Sequence, residues 1–368
     1  MNQKYFSFTF LILFLLGISP VFGQEEELTP DEQAYRDSIA ALNEENAAIA
    51  ASQEAYNEGV ELFNQNKFQA AINKFEASIQ SDPNFTGAYY NKGVAENEID
   101  KFNDAIQSFS QLLELDNEYT KVFFQRARAY QGVGEYLNAE NDYKKALKHD
   151  PENPKVHYNY ATLLFLQQNY DEAIKSFTKT IELKGNEAHA YNDRGSCHRM
   201  NGDYKKALSD YEAALRKNPN MAFVLNNMGT TKKRMKNYDG AVADFNKAIS
   251  VDKNFHLAFN NRGATEIERN RYDDALKDFD KCISIKSDYA PAHANKAAVL
   301  FKKEEYEKAL QSANKAIQLD PNYATAFVNR GMIKEMLRDD IGACEDWSKA
   351  KDLGAESANT YYSQNCGY

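Results

Sequence analysis

Small and large apolar positions return along this chain with one fixed period. In the stretch Ala188 to Met221, AHAYNDRGSCHRMNGDYKKALSDYEAALRKNPNM, Gly195 is followed twelve residues later by Ala207, sixteen later by Tyr211 and nineteen later by Ala214, and Pro219 closes the unit. Steps of 34 residues from Gly195 land on Gly59, Gly93, Ala127, Ala161, Gly229, Gly263, Ala297 and Gly331 without an insertion. If the unit is numbered in slots from Ala188, these small residues occupy slot 8. Slot 20 is Ala in all nine copies, and slot 17 is aromatic in eight, from Phe68 through Tyr306. Slot 24 carries Phe75, Phe109, Tyr143, Phe177, Tyr211, Phe245, Phe279 and Trp347, with Ala313 departing in the eighth copy. Apolar spacings of three and four within each unit predict two helices. Helix A fills about the first fourteen slots and helix B runs from the slot-16 region to about slot 28. The small residues sit where the two helices approach, and the ring fills the space they leave. Pro83, Pro151, Pro219 and Pro321 fall at the joints, where a missing amide costs least.

A helix-turn-helix unit of 34 residues, stacked in tandem, is the signature of a repeat array in which each unit buries its apolar face only against its neighbours. These residues resemble the tetratricopeptide repeat, over Ser52 to Ser357. The resemblance implies an all-α fold, a right-handed α-solenoid superhelix, with repeats at 52–85, 86–119, 120–153, 154–187, 188–221, 222–255, 256–289, 290–323 and 324–357. Residues 358–368 then form a short C-terminal cap, placing Tyr361 at slot 4 of an unfinished tenth unit.

The N-terminus breaks the pattern. Lys4 precedes the apolar run Phe6 to Ile18, then Pro20 and Val21-Phe22-Gly23, which reads as a secretory signal peptide over residues 1–23. The run is too short for a membrane span, so no span is expected after cleavage. Residues 24–51 are acidic and rich in Ala. Thr29-Pro30-Asp31-Glu32 marks a helix start, with a capping box and Pro at the first position. The thin apolar stripe Tyr35, Ile39, Leu42 and Ile49 leaves two readings for this helix, a cap over the first repeat, which is preferred, or a segment loose in solvent.

Charge narrows the partners. The formal net charge is −10, and Lys4 is the one charged side chain in the first 23 residues, so their removal leaves −11. A polyanion is a poor general partner for such a chain, and no nucleic acid is expected. Export places the protein in a bacterial periplasm or outside the cell. There cysteines bear on structure. Cys197 and Cys282 occupy slots held elsewhere by Ala and read as buried small residues. Cys344 lies on helix B of the last repeat and Cys366 in the cap that packs on it, so this pair is a candidate disulfide.

Nothing in the sequence points to catalysis, a metal or another cofactor. The six histidines scatter over different slots without ligand spacing, and Cys197 and His198 point about 100° apart on a helix. The chain is read as a non-enzyme.

What remains is a binding face. The resemblance implies that helix A lines the concave groove, with slots 2, 5, 6, 9, 12 and 13 facing it. Slot 6 holds Asn57, Asn91, Asn159, Asn227, Asn261, Asn295 and Asn329, with Gln125 and Asp193 in the remaining two repeats. These resemble the asparagine ladder of peptide-binding superhelices, each amide offering a donor and an acceptor to a peptide backbone. Equally, they are hydrogen-bonding residues of the repeat itself. Slot 5 runs Tyr56, Tyr90, Phe124 and Tyr158, then Asn192, Asn226 and Asn260, an aromatic floor followed by a polar one. Arg199, Lys233 and Arg234 at slots 12 and 13 add a basic patch. The lysine and asparagine pattern by which tetratricopeptide domains recognise chaperone tails is met by no three consecutive repeats. The expected function is a scaffold that binds an extended polypeptide or partner protein in its groove. The alternative is an assembly component that uses its convex face or N-terminal helix. Finally, Arg126, Arg194, Arg262 and Arg330 at slot 7 each stand sixteen residues before Asp142, Asp210, Asp278 and Asp346, while repeat one reverses the charges in Glu58 and Lys74. They read as ion pairs joining helix A to helix B, worth about 0–1 kcal/mol each where exposed.

Overall fold

A glycine or alanine at slot 8 lets a ring from the partner helix come within van der Waals reach of the helix A backbone, and this contact sets the spacing of the helix pair in eight of the nine repeats, Ala313 standing in place of the ring in the eighth. A Cβ added at Gly229 would stand 2.7 Å from the Phe245 ring. The slot-24 rings are 0–1% exposed in every repeat that has one, and the slot-20 alanines are equally buried. Burying each ring contributes about 1.5–3 kcal/mol. The computed structural model describes residues 29–184 and 187–366, so the signal peptide expected over 1–23 lies outside the described residues. Among the described residues there are nineteen helices and no strand.

By internal contact the chain forms two units, Met1–Ala88 and Tyr89–Tyr368. In the first, α1 (Pro30–Asn64) packs against α2 (Phe68–Ser81). Thr29 and Glu32 form the capping box and Pro30 stands in the first turn. α1 is one continuous helix of 35 residues. Its second half is helix A of the first repeat, held by Ser52 Oγ donating to the Ser78 carbonyl (2.9 Å), by Tyr56 beside Phe75 and Phe85, and by the Lys74–Glu58 pair. Its first half covers nothing. Residues 30–51 are exposed apart from a half-buried Ala48, so the preferred reading of this segment as a cap over the first repeat is corrected. The stripe is too thin and the helix too straight to fold back.

The second unit takes in nearly all of α3 (Thr86–Glu98), then α4 (Phe102–Leu115), α5 (Lys121–Gly132), α6 (Tyr136–His149), α7 (Pro154–Leu166), α8 (Tyr170–Lys184), α9 (Ala188–Met200), α10 (Tyr204–Lys217), α11 (Ala222–Arg234) and α12 (Tyr238–Val251). It continues through α13 (His256–Glu268), α14 (Tyr272–Ile285), α15 (Ala290–Lys302), α16 (Tyr306–Leu319), α17 (Ala324–Met336), α18 (Asp340–Asp352) and α19 (Glu356–Asn365). Odd numbers up to α17 are A helices and even numbers are B helices. The slot-17 residue is the first of every B helix, and most B helices run to slot 30, two residues beyond the extent the apolar pattern predicts.

The turn between A and B has the same backbone in all nine repeats. Slot 15 is left-handed, with φ from 58° to 83°, at Asn66, Asp100, Gly134, Gln168, Gly202, Lys236, Asn270, Glu304 and Arg338. The next amide donates back to the slot-11 carbonyl, as Glu305 does to Leu300 at 2.9 Å, which closes the helix end. Only two of the nine are glycine. A side chain in this region costs about 1 kcal/mol. Glu304→Gly is therefore expected to stabilise the protein by about 0.5–1 kcal/mol, seen as a higher urea midpoint. A lower midpoint would mean that the added freedom of the unfolded chain outweighs the relieved strain.

Candidate functional site

Within the second unit, successive A helices touch one another directly from α5 to α17, whereas no two successive B helices of that unit meet comparably. In a stack of helix pairs, the side on which neighbours crowd is the inner side of the curve. The slot-5 and slot-6 side chains lie along it.

These side chains do more for the stack than the sequence suggests. Asn227 Nδ2 donates to Asn192 Oδ1 (3.0 Å), Asn261 Nδ2 to Asn226 Oδ1 (2.9 Å) and Asn295 Nδ2 to Asn260 Oδ1 (3.0 Å). Asn329 Nδ2 donates to the Ala294 carbonyl at 3.0 Å. Each of these four slot-6 amides thus bonds to slot 5 of the preceding repeat. Asn192, Asn226 and Asn260 are buried, and accepting these bonds offsets the cost of burying their carbonyl oxygens. Of the two readings of the asparagines, hydrogen bonding between repeats accounts for one N–H of each of these four, and a second N–H remains. Asn159 donates to the Lys155 carbonyl in its own helix, and Asn91 on α3 also has a partner. Asn57, in the first unit, accepts from Gln53.

The aromatic slot-5 residues are half-buried and pack on the core rings: Tyr90 on Phe109 and Tyr119, Phe124 on Tyr143, Tyr158 on Phe177. The Tyr158 hydroxyl also donates to Asp193 Oδ2 at 2.6 Å, and burial with that carboxylate raises its pKa. Beside Tyr158 and Asn159 opens a cavity of about 240 Å³. Replacing these rings would therefore loosen the fold as well as the floor.

Arg199 and Lys233 hold the same slot on the neighbouring helices α9 and α11. Both are partly buried, and among the described residues every other Lys or Arg buried to that degree lies within 4.0 Å of a carboxylate. These two have none, and Arg199 Nε is buried without a hydrogen-bond partner. Lys233 and the exposed Arg234 line a cavity of about 380 Å³ with Thr230, Asn261 and Glu268. Burial lowers the Lys233 ammonium below the ordinary lysine range; Glu268 acts against this and Arg234 with it.

The slot-7 arginines stand with their slot-23 aspartates. Arg194 reaches Asp210 by Nε (2.9 Å) and Nη2 (2.7 Å), and Arg262 reaches Asp278 at 2.8 and 2.5 Å. Arg126–Asp142 and Arg330–Asp346 repeat this fork. The aspartates are buried, 2–7% exposed, so the value expected for exposed pairs understates them. Each arginine also donates from Nη1 to slot 25 of the preceding repeat, at Ser110, Thr178, Asn246 and Asn314. This second contact, which fastens one repeat to the next, was missed from sequence. Its signal was present: the four partners are Ser, Thr, Asn and Asn, each sixteen residues before its arginine.

Cys344 and Cys366 are bonded (S–S 1.93 Å, Cα–Cα 5.7 Å) and tie α18 to the end of α19. Cys197 and Cys282 are free and fully buried, and burial raises their thiols to about 12 and about 11. A thiol reagent at neutral pH is expected to find no reactive cysteine in the native protein and two after denaturation. Rapid labelling of the native protein would contradict the burial.

Among the described residues, no group of three His, Cys, Asp or Glu is placed to hold a metal ion, and no helix is long and apolar enough to cross a membrane. No curated protein matches the sequence. The solved structures it resembles include a tetratricopeptide repeat protein from Parabacteroides merdae, at 19% identity over 68% of this chain and 99% of that one, with a TM-score of 0.55. Pseudomonas aeruginosa pilF is 20% identical over 58% of this chain and 96% of its own, at a TM-score of 0.50. A chain of the APC/C hetero-tetramer Cut9-Hcn1 is 17% identical over 82% of this chain and 58% of that one, at 0.53. At these identities the likeness concerns the fold. Tetratricopeptide repeats are also matched in sequence at residues 56–119, 124–188, 188–221, 224–255 and 290–323. With helix pairs at the matching period, a small residue against a ring in the core and this coverage, the chain belongs to the tetratricopeptide repeat family.

Proposed function

We propose that this protein is an exported scaffold that holds an extended, acidic segment of a partner protein along the A helices of its second unit. The fold supports a protein-interaction scaffold. The observation that carries the finer reading is the pair Arg199 and Lys233. Partly burying a cation without a carboxylate is unfavourable, and an acidic ligand on this face would supply the missing charge. Arg234, at the rim, speeds the encounter more than it holds the complex. The second N–H of Asn227, Asn261 and Asn295 grips the ligand backbone, and Tyr90, Phe124 and Tyr158 take its apolar side chains. Tyr56 and Asn57 do the same on the first unit. Export rests on Lys4 and the apolar run after it, and a disulfide at the C-terminal end suits an oxidising compartment.

The test is fluorescence polarisation with labelled extended peptides that alternate Glu with Leu or Tyr, against the same peptides with Lys for Glu. The acidic series should bind, and Arg199→Glu with Lys233→Glu should weaken it at least about tenfold, or 1.4 kcal/mol. Because burial lowers the Lys233 pKa, its charge is lost as pH rises, at a lower pH than for an ordinary lysine, and affinity should fall in that range. Equal binding of both series, or no effect of the charge reversals, would remove this face as the working surface.

A further inference from the structure

The exposed half of α1 carries a pattern that the array does not use. Tyr35, Ile39, Leu42 and Ile49 are 68%, 40%, 51% and 50% exposed. They follow at intervals of four, three and seven, and Asn46 fills the one empty position of the 4-3-4-3 series. In heptad terms Tyr35, Leu42 and Ile49 are d, and Ile39 and Asn46 are a. This is the seam of a coiled coil. At 1.5 Å per residue, residues 30–51 make a rod about 33 Å long. A helix of that length with no packed face is marginal in water.

We propose that residues 30–51 pair with the same segment of a second copy of this chain, as a parallel two-stranded coiled coil in register. Three features select this occupant. Ile at a with Leu at d, as in Ile39 and Leu42, favours two strands, and a single Asn at a fixes register and strand number. Tyr35 and Ile49 at d depart from that pattern, as does Glu32, which falls at the a position in the first turn. In the parallel register Asn46 meets Asn46 of the second copy, and each amide satisfies the other. In an antiparallel pair it would face Tyr35 and lose that bond. The flanking charges agree: Asp31 at g faces Arg36 at the following e of the second copy, on both sides of the seam. Neither residue forms an ion pair within its own chain among the described residues. Asp37 and Glu44 fall at the outermost heptad position, where like charges stay apart.

The test uses the full chain. Sedimentation over about 1–100 µM should show a monomer–dimer equilibrium, the range in which a seam of two to three heptads acts. Leu42→Asp should raise the dissociation constant at least about 100-fold, with far-UV circular dichroism showing the array still helical. Tyr35→Cys should form a covalent dimer under mild oxidation, because its two copies meet only in the parallel register. The native cysteines are bonded or buried and do not compete. Asn46→Leu should keep association but admit states above the dimer. A monomer throughout the range, dimers that persist in Leu42→Asp, a Tyr35→Cys chain that does not cross-link, or association only with a different protein would each overturn the proposal.

Discussion

Arg262→Met is expected to destabilise the protein by about 3 kcal/mol and to split its unfolding into two steps. Asp278 is 5% exposed and takes two charged hydrogen bonds from Arg262. Without the guanidinium that carboxylate stays buried and unpaired, which is what makes breaking a buried pair costly; the figure sits at the low end because the arginine side chain keeps 24% of its surface in water. The same substitution removes the 2.5 Å bond from Nη1 to Asn246 in the preceding repeat and the stacking of the guanidinium over Phe259, at 5.5 Å. Stability in an array is a sum of unit terms and interface terms, and Arg262 contributes to both. Urea unfolding followed by circular dichroism should therefore lose its single transition, with a step between the sixth and seventh repeats. Arg262→Met with Asp278→Leu should recover most of the loss, since no charge is then left buried. If the single variant falls by less than about 1 kcal/mol, the pair behaves as an exposed one.

Cys366→Ser should loosen the last two helices while the rest of the array keeps its stability. The bond spans 22 residues, and a loop of that size contributes about 3 kcal/mol by restricting the unfolded chain. The effect is local because α19, the last helix described, packs mainly on α18. Trp347 stacks on Tyr361 there, with centroids 5.5 Å apart, Lys351 lies over the Tyr362 ring and Ala358 is buried among Phe327, Val328 and Ala350, and these contacts alone seat α19 once the bond is gone. Amides of α19 should exchange with deuterium about 100-fold faster in the variant or after reduction, and those of α9 to α13 at unchanged rates. Unchanged exchange in α19 would show that packing alone holds the terminal helix.

Most of the fold was legible because its governing contacts are short-range and repeated. Slot 8 meets slot 24 across a hairpin of sixteen residues, so nine copies of a small residue, each followed at a fixed distance by Ala and eight of them by a ring, amount to eight readings of one contact. The Arg–Asp fork spans the same hairpin and was legible for the same reason. The candidate site was legible only in part. The asparagine row could be seen, but whether its amides face a ligand or the preceding repeat depends on the tilt between repeats, and a period in sequence carries no tilt. The aromatic floor was visible as residue type, yet the commitment of Tyr90 and Tyr158 to Phe109 and Phe177 appears only once slots 5 and 24 are brought together.

The sequence by itself determined the unit and the two helices in each, because both follow from spacing within one hairpin, and the number of units from the unbroken period of 34. Only the tertiary structure decided the rest. It set slot 15 in the left-handed region even where Glu304 or Arg338 stands, since hairpin closure overrides local preference. It carried α1 on without a break from Pro30 through Asn64 and left its stripe in water, because nothing in the first repeat is placed to cover it. And it left Arg199 and Lys233 without a carboxylate within 4.0 Å: whether a half-buried cation finds a partner depends on which helix lies beside it, a distance that residue order does not contain.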